Sequence, residues 1–152
     1  MQTLFDMIGV LVSPSLQKRC ESLNDDKRFS RVEYVSEAPW DYLHQWRLEC
    51  YPEQDVTEWT RLSLRIWMIF VQQRFLLRGA VEWHLPFTYG DATRPRSKTE
   101  YATCEVWGNR DITVEEFVRT SEAEFVNELP PLYSAFENAL ERRRPLIPEV
   151  TL

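Results

Sequence analysis

Glycine is scarce in this chain of 152 residues, which holds only four. None stands in a G-x-G-x-x-G or G-x-x-x-x-G-K-[ST] run, so phosphate-cradling loops of those kinds are excluded. Histidine is scarcer, with His44 and His84 alone, and the three cysteines Cys20, Cys50 and Cys104 lie far apart. No C-x-x-C or H-x₃₋₅-H spacing occurs, so a zinc site has no basis in the pattern. The longest apolar run, Ile66–Val71, is six residues, far short of the ~20 that a membrane-spanning helix needs. Met1–Val12 carries an apolar run but an acidic Asp6 and no basic segment before it, unlike a secretory signal. Three thiols without a disulfide framework read as reduced, which places the protein in solution inside the cell, in cytoplasm or nucleus. No cofactor or metal is implied.

Basic charge is also in deficit. The net charge is −6, and binding nucleic acid without sequence preference depends on Lys and Arg neutralising phosphates. What the chain has in quantity is apolar and aromatic surface: 43% hydrophobic, 13% aromatic, six Trp. With 28% charged residues, this is a globular composition able to bury a core.

The densest apolar stretch is Thr57–Phe87. At about 100° per residue Glu58, Arg61, Arg65 and Gln72 share a narrow polar arc, which predicts a central buried helix. Asp55 with Glu58 would open it as a capping box and Gly79 would close it. Trp67 and Phe70 would lie opposite the Arg61/Arg65 stripe, in the core. Beyond Gly79, Val81, Trp83, Leu85 and Phe87 alternate as a strand.

Upstream, Leu4, Phe5, Ile8, Leu11 and Val12 suggest a short helix. Ser13-Pro14 would start a second one with Leu16, Cys20 and Leu23 inward. Val32 and Tyr34 signal a strand. After Pro39, Tyr42, His44, Trp46, Leu48 and Cys50 alternate with Gln45, Arg47 and Glu49 in a stronger one that Pro52 ends. Downstream, Ala102, Cys104 and Val106 would pair with the Val81–Phe87 strand as a long-looped hairpin. Thr113 with Glu116 makes a capping box, opening a helix with Val114, Phe117, Val118, Ser121 and Phe125 inward. After Pro130-Pro131, Leu132, Ala135, Phe136, Ala139 and Leu140 form a helical stripe. The order predicts one α+β domain over residues 1–152, with 145–152 as a loose tail and a small, mostly antiparallel sheet against the central helix and its flanking helices.

Catalytic chemistry has little to work with. Nucleophilic catalysis requires a nucleophile, a base and an orienting group. His44 and Cys50 sit six positions apart on one strand, about 20 Å when extended, and cannot touch. His84 and Cys104 would meet only if the hairpin register allowed it. Two basic clusters stand out: Arg94, Arg96 and Lys98 in the polar loop Gly90–Lys98, and Arg142, Arg143 and Arg144 at a helix end, where cations offset the helix dipole. Trp40, after Pro39, and Trp107, before Gly108, stand at element ends, where aromatics anchor interfaces.

Part of the second half resembles the carboxy-terminal region of ubiquitin-activating enzymes. Leu85-Pro86-Phe87 resembles the strand before their ubiquitin-fold domain, and Glu105–Phe117 (EVWGNRDITVEEF) that domain's opening strand, turn and helix start. Leu132-Tyr133-Ser134, Glu141-Arg142 and Pro145-Leu146 are similar to its later segment. The resemblance implies a docking surface for a conjugating enzyme without activation chemistry, since neither the nucleotide-binding glycines nor the catalytic cysteine segment has a counterpart.

The residues together point to a non-enzymatic protein-interaction module, a regulator, inhibitor or structural component of cellular or viral origin, with self-association as one form of partnership. Trp40, Trp107, Arg94, Arg96, Lys98 and Arg142–Arg144 are its expected contacts. A nucleic-acid-associated protein using the two basic clusters is the alternative, and a small enzyme using His84 and Cys104 the third.

Overall fold

A computed structural model describes residues 2–53, 58–87, 99–106, 109–119 and 129–145. A long helix, α1 (Gln2–Asn24), leads into β1 (Phe29–Trp40), β2 (Leu43–Pro52), β3 (Arg61–Val71) and β4 (Arg74–Phe87). Then come β5 (Thr99–Val106), β6 (Asn109–Ile112), α2 (Val114–Arg119) and α3 (Pro130–Arg142). Each of the first four strands pairs antiparallel with the next. β6 pairs with Phe75–Arg78 of β4 and β5 with its later half, so the two share one edge of the longest strand. This is a small single-domain α+β fold, as the element pattern predicts.

The expected central helix is absent; the segment forms β3 and β4. Leu62, Leu64, Ile66 and Met68 are fully buried on one face, while Arg61, Ser63, Arg65 and Trp67 take the other. A period of two therefore sorts these residues better than the helical arc did. The β-branched and aromatic run Ile66–Val71 also favours extended backbone. Trp67 consequently leaves the core and lies half-buried under Arg65, whose guanidinium carbon sits 4.3 Å from the ring centroid. Phe70 is half-buried and packs against the core. Gln72 and Gln73 turn the chain with φ of 51° and 62°, the positive pair that a two-residue hairpin requires. Gly79 is not a helix end but a mid-strand residue opposite Ile66.

The two expected N-terminal helices are one. Pro14 lies inside α1, where a missing N–H and a ring clash cost about 3 kcal/mol. Ile8, Val12 and Leu16, four residues apart and fully buried, keep the same face on the sheet through the proline, and that burial offsets the cost. Ser13 does not cap a helix; its hydroxyl bonds that of Tyr34. Gly9 lets α1 approach closely, since a Cβ there would stand 3.2 Å from Nε1 of Trp46.

Helices α1 and α3 cover the same sheet face, α1 over β1–β2 and α3 over β4–β5. Arg19 of α1 joins them, pairing with Glu137 at 2.5 Å and covering the Tyr133 ring. The stripe expected on α3 is in place, with Leu132, Phe136, Ala139 and Leu140 buried. The Thr113/Glu116 capping box forms in both directions, at 3.1 and 3.3 Å. The rest of that expected helix, through Phe125, and the chain beyond Pro145 lie outside the described residues.

Candidate functional site

Three features stand apart from the core. The first is the sheet face that the helices leave uncovered. Glu33, Glu49, Ser63, Glu82 and Cys104 stand in one register row across β1 to β5. Arg47 and Arg65 form the next row on one side, and Arg61 faces His84 on the other. Glu49, Ser63 and Glu82 are buried despite their polarity, so each needs partners. Glu49 accepts from the Ser63 hydroxyl and lies 2.7 Å from Arg47 Nε and 3.2 Å from Arg61 Nε. Burial raises its pKa, against the pull of Ser63 and the two arginines. Glu37 takes donors from both Gln45 and Arg47, and Arg65 donates to Gln45 at 2.9 Å.

Glu82 brings the two residues weighed for catalysis into one group. Cys104 Sγ is 3.8 Å from its Oε1 and His84 Nε2 is 3.7 Å from its Oε2. His84 Nδ1 faces Arg61 at 3.1 Å. Cys104 is exposed as a residue, but partial desolvation of its sulfur first, and then the Glu82 carboxylate, raise its pKa, which favours thiol over the thiolate that nucleophilic chemistry uses. The cluster is built to hold charge in mutual balance. Cys50 is buried and its pKa raised for the same first reason, and the three cysteines are free.

The second feature is the end of the molecule where the β1–β2 and β3–β4 turns meet the first turns of α1. Tyr42 and Phe70 join the two hairpins through a 2.8 Å backbone bond. Phe5 brings α1 to them, edge-on to His44 at 5.7 Å and to Phe75 at 6.1 Å. The exposed large hydrophobics among the described residues are Met7 and Val10 on α1, Trp40 and Tyr42 at the β1–β2 turn, and Val71 at the β3–β4 turn. Trp40 is 57% exposed and Tyr42 44%, with their rings stacked 5.8 Å apart and 4° from parallel.

The third feature is a cleft of about 680 Å³ at the opposite end, entering between the sheet and the C-terminal turn of α3. Its apolar walls come from Phe29, Trp59, Leu62, Trp83 and Leu140. Trp59 meets Trp83 edge-on at 5.1 Å and Phe29 at 6.4 Å. Both tryptophans are buried.

The expected contact residues are scattered over these features. Trp40 is exposed at the hairpin end. Arg142 is committed, paired with Glu105 and donating to the Arg144 carbonyl at 2.8 Å. Arg143 caps α3 in a left-handed conformation and stands at the cleft mouth; Arg144 is exposed. Arg94, Arg96, Lys98 and Trp107 lie outside the described residues. The charged sheet face and the cleft are features that sequence reasoning missed. The Arg61-Ser63-Arg65 alternation was a signal for the first; the second joins residues more than a hundred positions apart and had none.

Among the described residues no helix is long and apolar enough to cross a membrane, and no group of His, Cys, Asp and Glu is placed to hold a metal ion. No family model, curated protein or solved structure matches this chain.

Proposed function

We propose that this chain is a non-enzymatic protein-binding module that docks its partner through the hairpin end, with Trp40 and Tyr42 as anchors. The observation that carries this reading is the segregation of exposed apolar side chains. Trp40, Tyr42 and Val71 are exposed on two turns that a backbone bond joins, and Met7 and Val10 are exposed on the N-terminal half of α1, whose Phe5 packs beside them. Singly exposed hydrophobics are ordinary, but a gathered set marks an interaction surface. Stacked aromatics with few rotatable bonds lose little entropy on docking, which is why such residues serve as binding hot spots. The protonated state favoured at Cys104 supports binding over thiolate catalysis. Arg142, engaged by Glu105, is a supporting strut in this reading and not a contact.

Affinity capture tests the proposal. Immobilised native protein is compared with a Trp40→Ala/Tyr42→Ala variant of equal thermal stability, with mass spectrometry of what each retains. The expected result is a protein, a second copy of the chain included, that the native form enriches and the variant loses. Equal retention by both forms would refute the docking site.

A further inference from the structure

The cleft at the far end from the hairpins has the properties of a second, independent site. Its volume of about 680 Å³ lies within the range of small-molecule pockets. The walls are aromatic and aliphatic, and Trp59, Trp83 and Phe29 meet edge to face. The indole N–H of Trp83, in the same wall, is buried without a hydrogen-bond partner among the described residues. An unpaired buried donor is costly to leave unmade.

The charges at the mouth are unevenly committed. Arg28 is fully engaged: its Nε donates to Asp26 at 2.7 Å and its Nη1 to the Leu140 carbonyl at 3.3 Å. Lys27 and Arg143, both exposed beside it, carry no side-chain hydrogen bond or ion pair among the described residues, although the Asp26 carboxylate lies within electrostatic reach of Arg143. Arg143 is held in place by its own backbone, which takes φ of 64° and donates to the Ala139 carbonyl at 2.9 Å. Glu53 and Glu58 stand at the same mouth and are exposed. They would repel a second negative charge, so the mouth suits a guest charged at one end.

We propose that this cleft binds a small aromatic monoanion, its ring system against the Phe29, Trp59 and Leu140 wall and its acidic group against Lys27 and Arg143. The ligand class follows from the pairing of an aromatic interior with two exposed cations at one lip whose side chains make no hydrogen bond or ion pair among the described residues.

A matched pair of fluorescent probes tests it. 8-Anilinonaphthalene-1-sulfonate carries the anion, and N-phenyl-1-naphthylamine has the same rings without it. Both are titrated into native protein and into a Lys27→Gln/Arg143→Asn variant, Asn being chosen because it tolerates the left-handed backbone. Circular dichroism checks that the variant is folded. The sulfonate should bind saturably at one site and weaken about tenfold in the variant, equivalent to about 1.4 kcal/mol, while the neutral probe changes less than about twofold. Glu58→Gln, which removes a repelling charge, should tighten the sulfonate. Absence of saturable sulfonate binding would overturn the proposal. So would equal effects of the double change on both probes, or sulfonate affinity indifferent to Lys27 and Arg143.

Discussion

Ser63 and Glu49 face each other across β2 and β3, and the serine hydroxyl donates to the carboxylate where water barely reaches either. Glu49 also holds Arg47 and Arg61, so it is the hub of the polar sheet face. Removing it would leave two guanidinium groups without a shared counter-charge. Arg47 keeps Glu37 and both guanidinium groups reach solvent, so Glu49→Ala is expected to cost about 2–3 kcal/mol, with Ser63→Ala costing about 1 kcal/mol. Urea denaturation measures both. Equal, small losses would show that the face is solvated and not a buried network.

Register on β3 sets opposite fates for neighbours. Met68 is fully buried, while Trp67 lies half-buried under Arg65. Met68→Ala should destabilise by about 2–5 kcal/mol and Trp67→Ala by about 1 kcal/mol, the scale of an exposed cation–π contact. A larger loss at Trp67 than at Met68 would reverse the facing.

That pair also shows how far the sequence could be read. The α1 and α3 stripes, β2 with its polar alternates, the β4–β5 pairing and the Thr113/Glu116 box were legible, because local periodicity and cap chemistry agree with the tertiary contacts. Residues 57–79 were not. A stretch this rich in apolar side chains satisfies either period, and the turn dividing it carries Gln72-Gln73 where Asn-Gly is the usual signal. Pro14 misled in the opposite sense, because burial of Ile8, Val12 and Leu16 outweighs a helix-breaking residue. At the candidate sites, Trp40 was legible from its place at a strand end. The exposed Tyr42, Val71, Met7 and Val10 depend on which segments meet, and no local pattern carries that.

The Gln72-Gln73 turn is a place to add stability. Two non-glycine residues at positive φ each carry a penalty of about 1 kcal/mol. Gln72→Asn with Gln73→Gly should raise stability by about 1 kcal/mol, seen as a higher denaturation midpoint at unchanged slope. A lower midpoint would mean that the glutamine side chains make contacts worth more than the strain.

Acid should loosen the α1 end of the molecule. His44 is stacked on Trp46 at 4.6 Å and edge-on to Phe5. Burial there lowers its pKa below 6.5, with Asp6 pulling weakly the other way. The unfolded chain therefore takes up the proton first. This contribution is complete above pH 6.5 and is lost as pH falls from 6.5 toward the lowered folded value. Stability measured between pH 7.5 and 5.5 should decline in native protein and decline less in His44→Gln. Parallel profiles would remove His44 as the cause.

The hairpin end as the docking surface is tested most directly by hydrogen exchange on the native chain, alone and saturated with the partner that capture identifies. Slowed exchange is expected in the Trp40–Leu43 turn, in the Val71–Arg74 turn and in the first turns of α1. Protection confined to the cleft residues or to the β5–β6 edge, with those three segments unchanged, would contradict it.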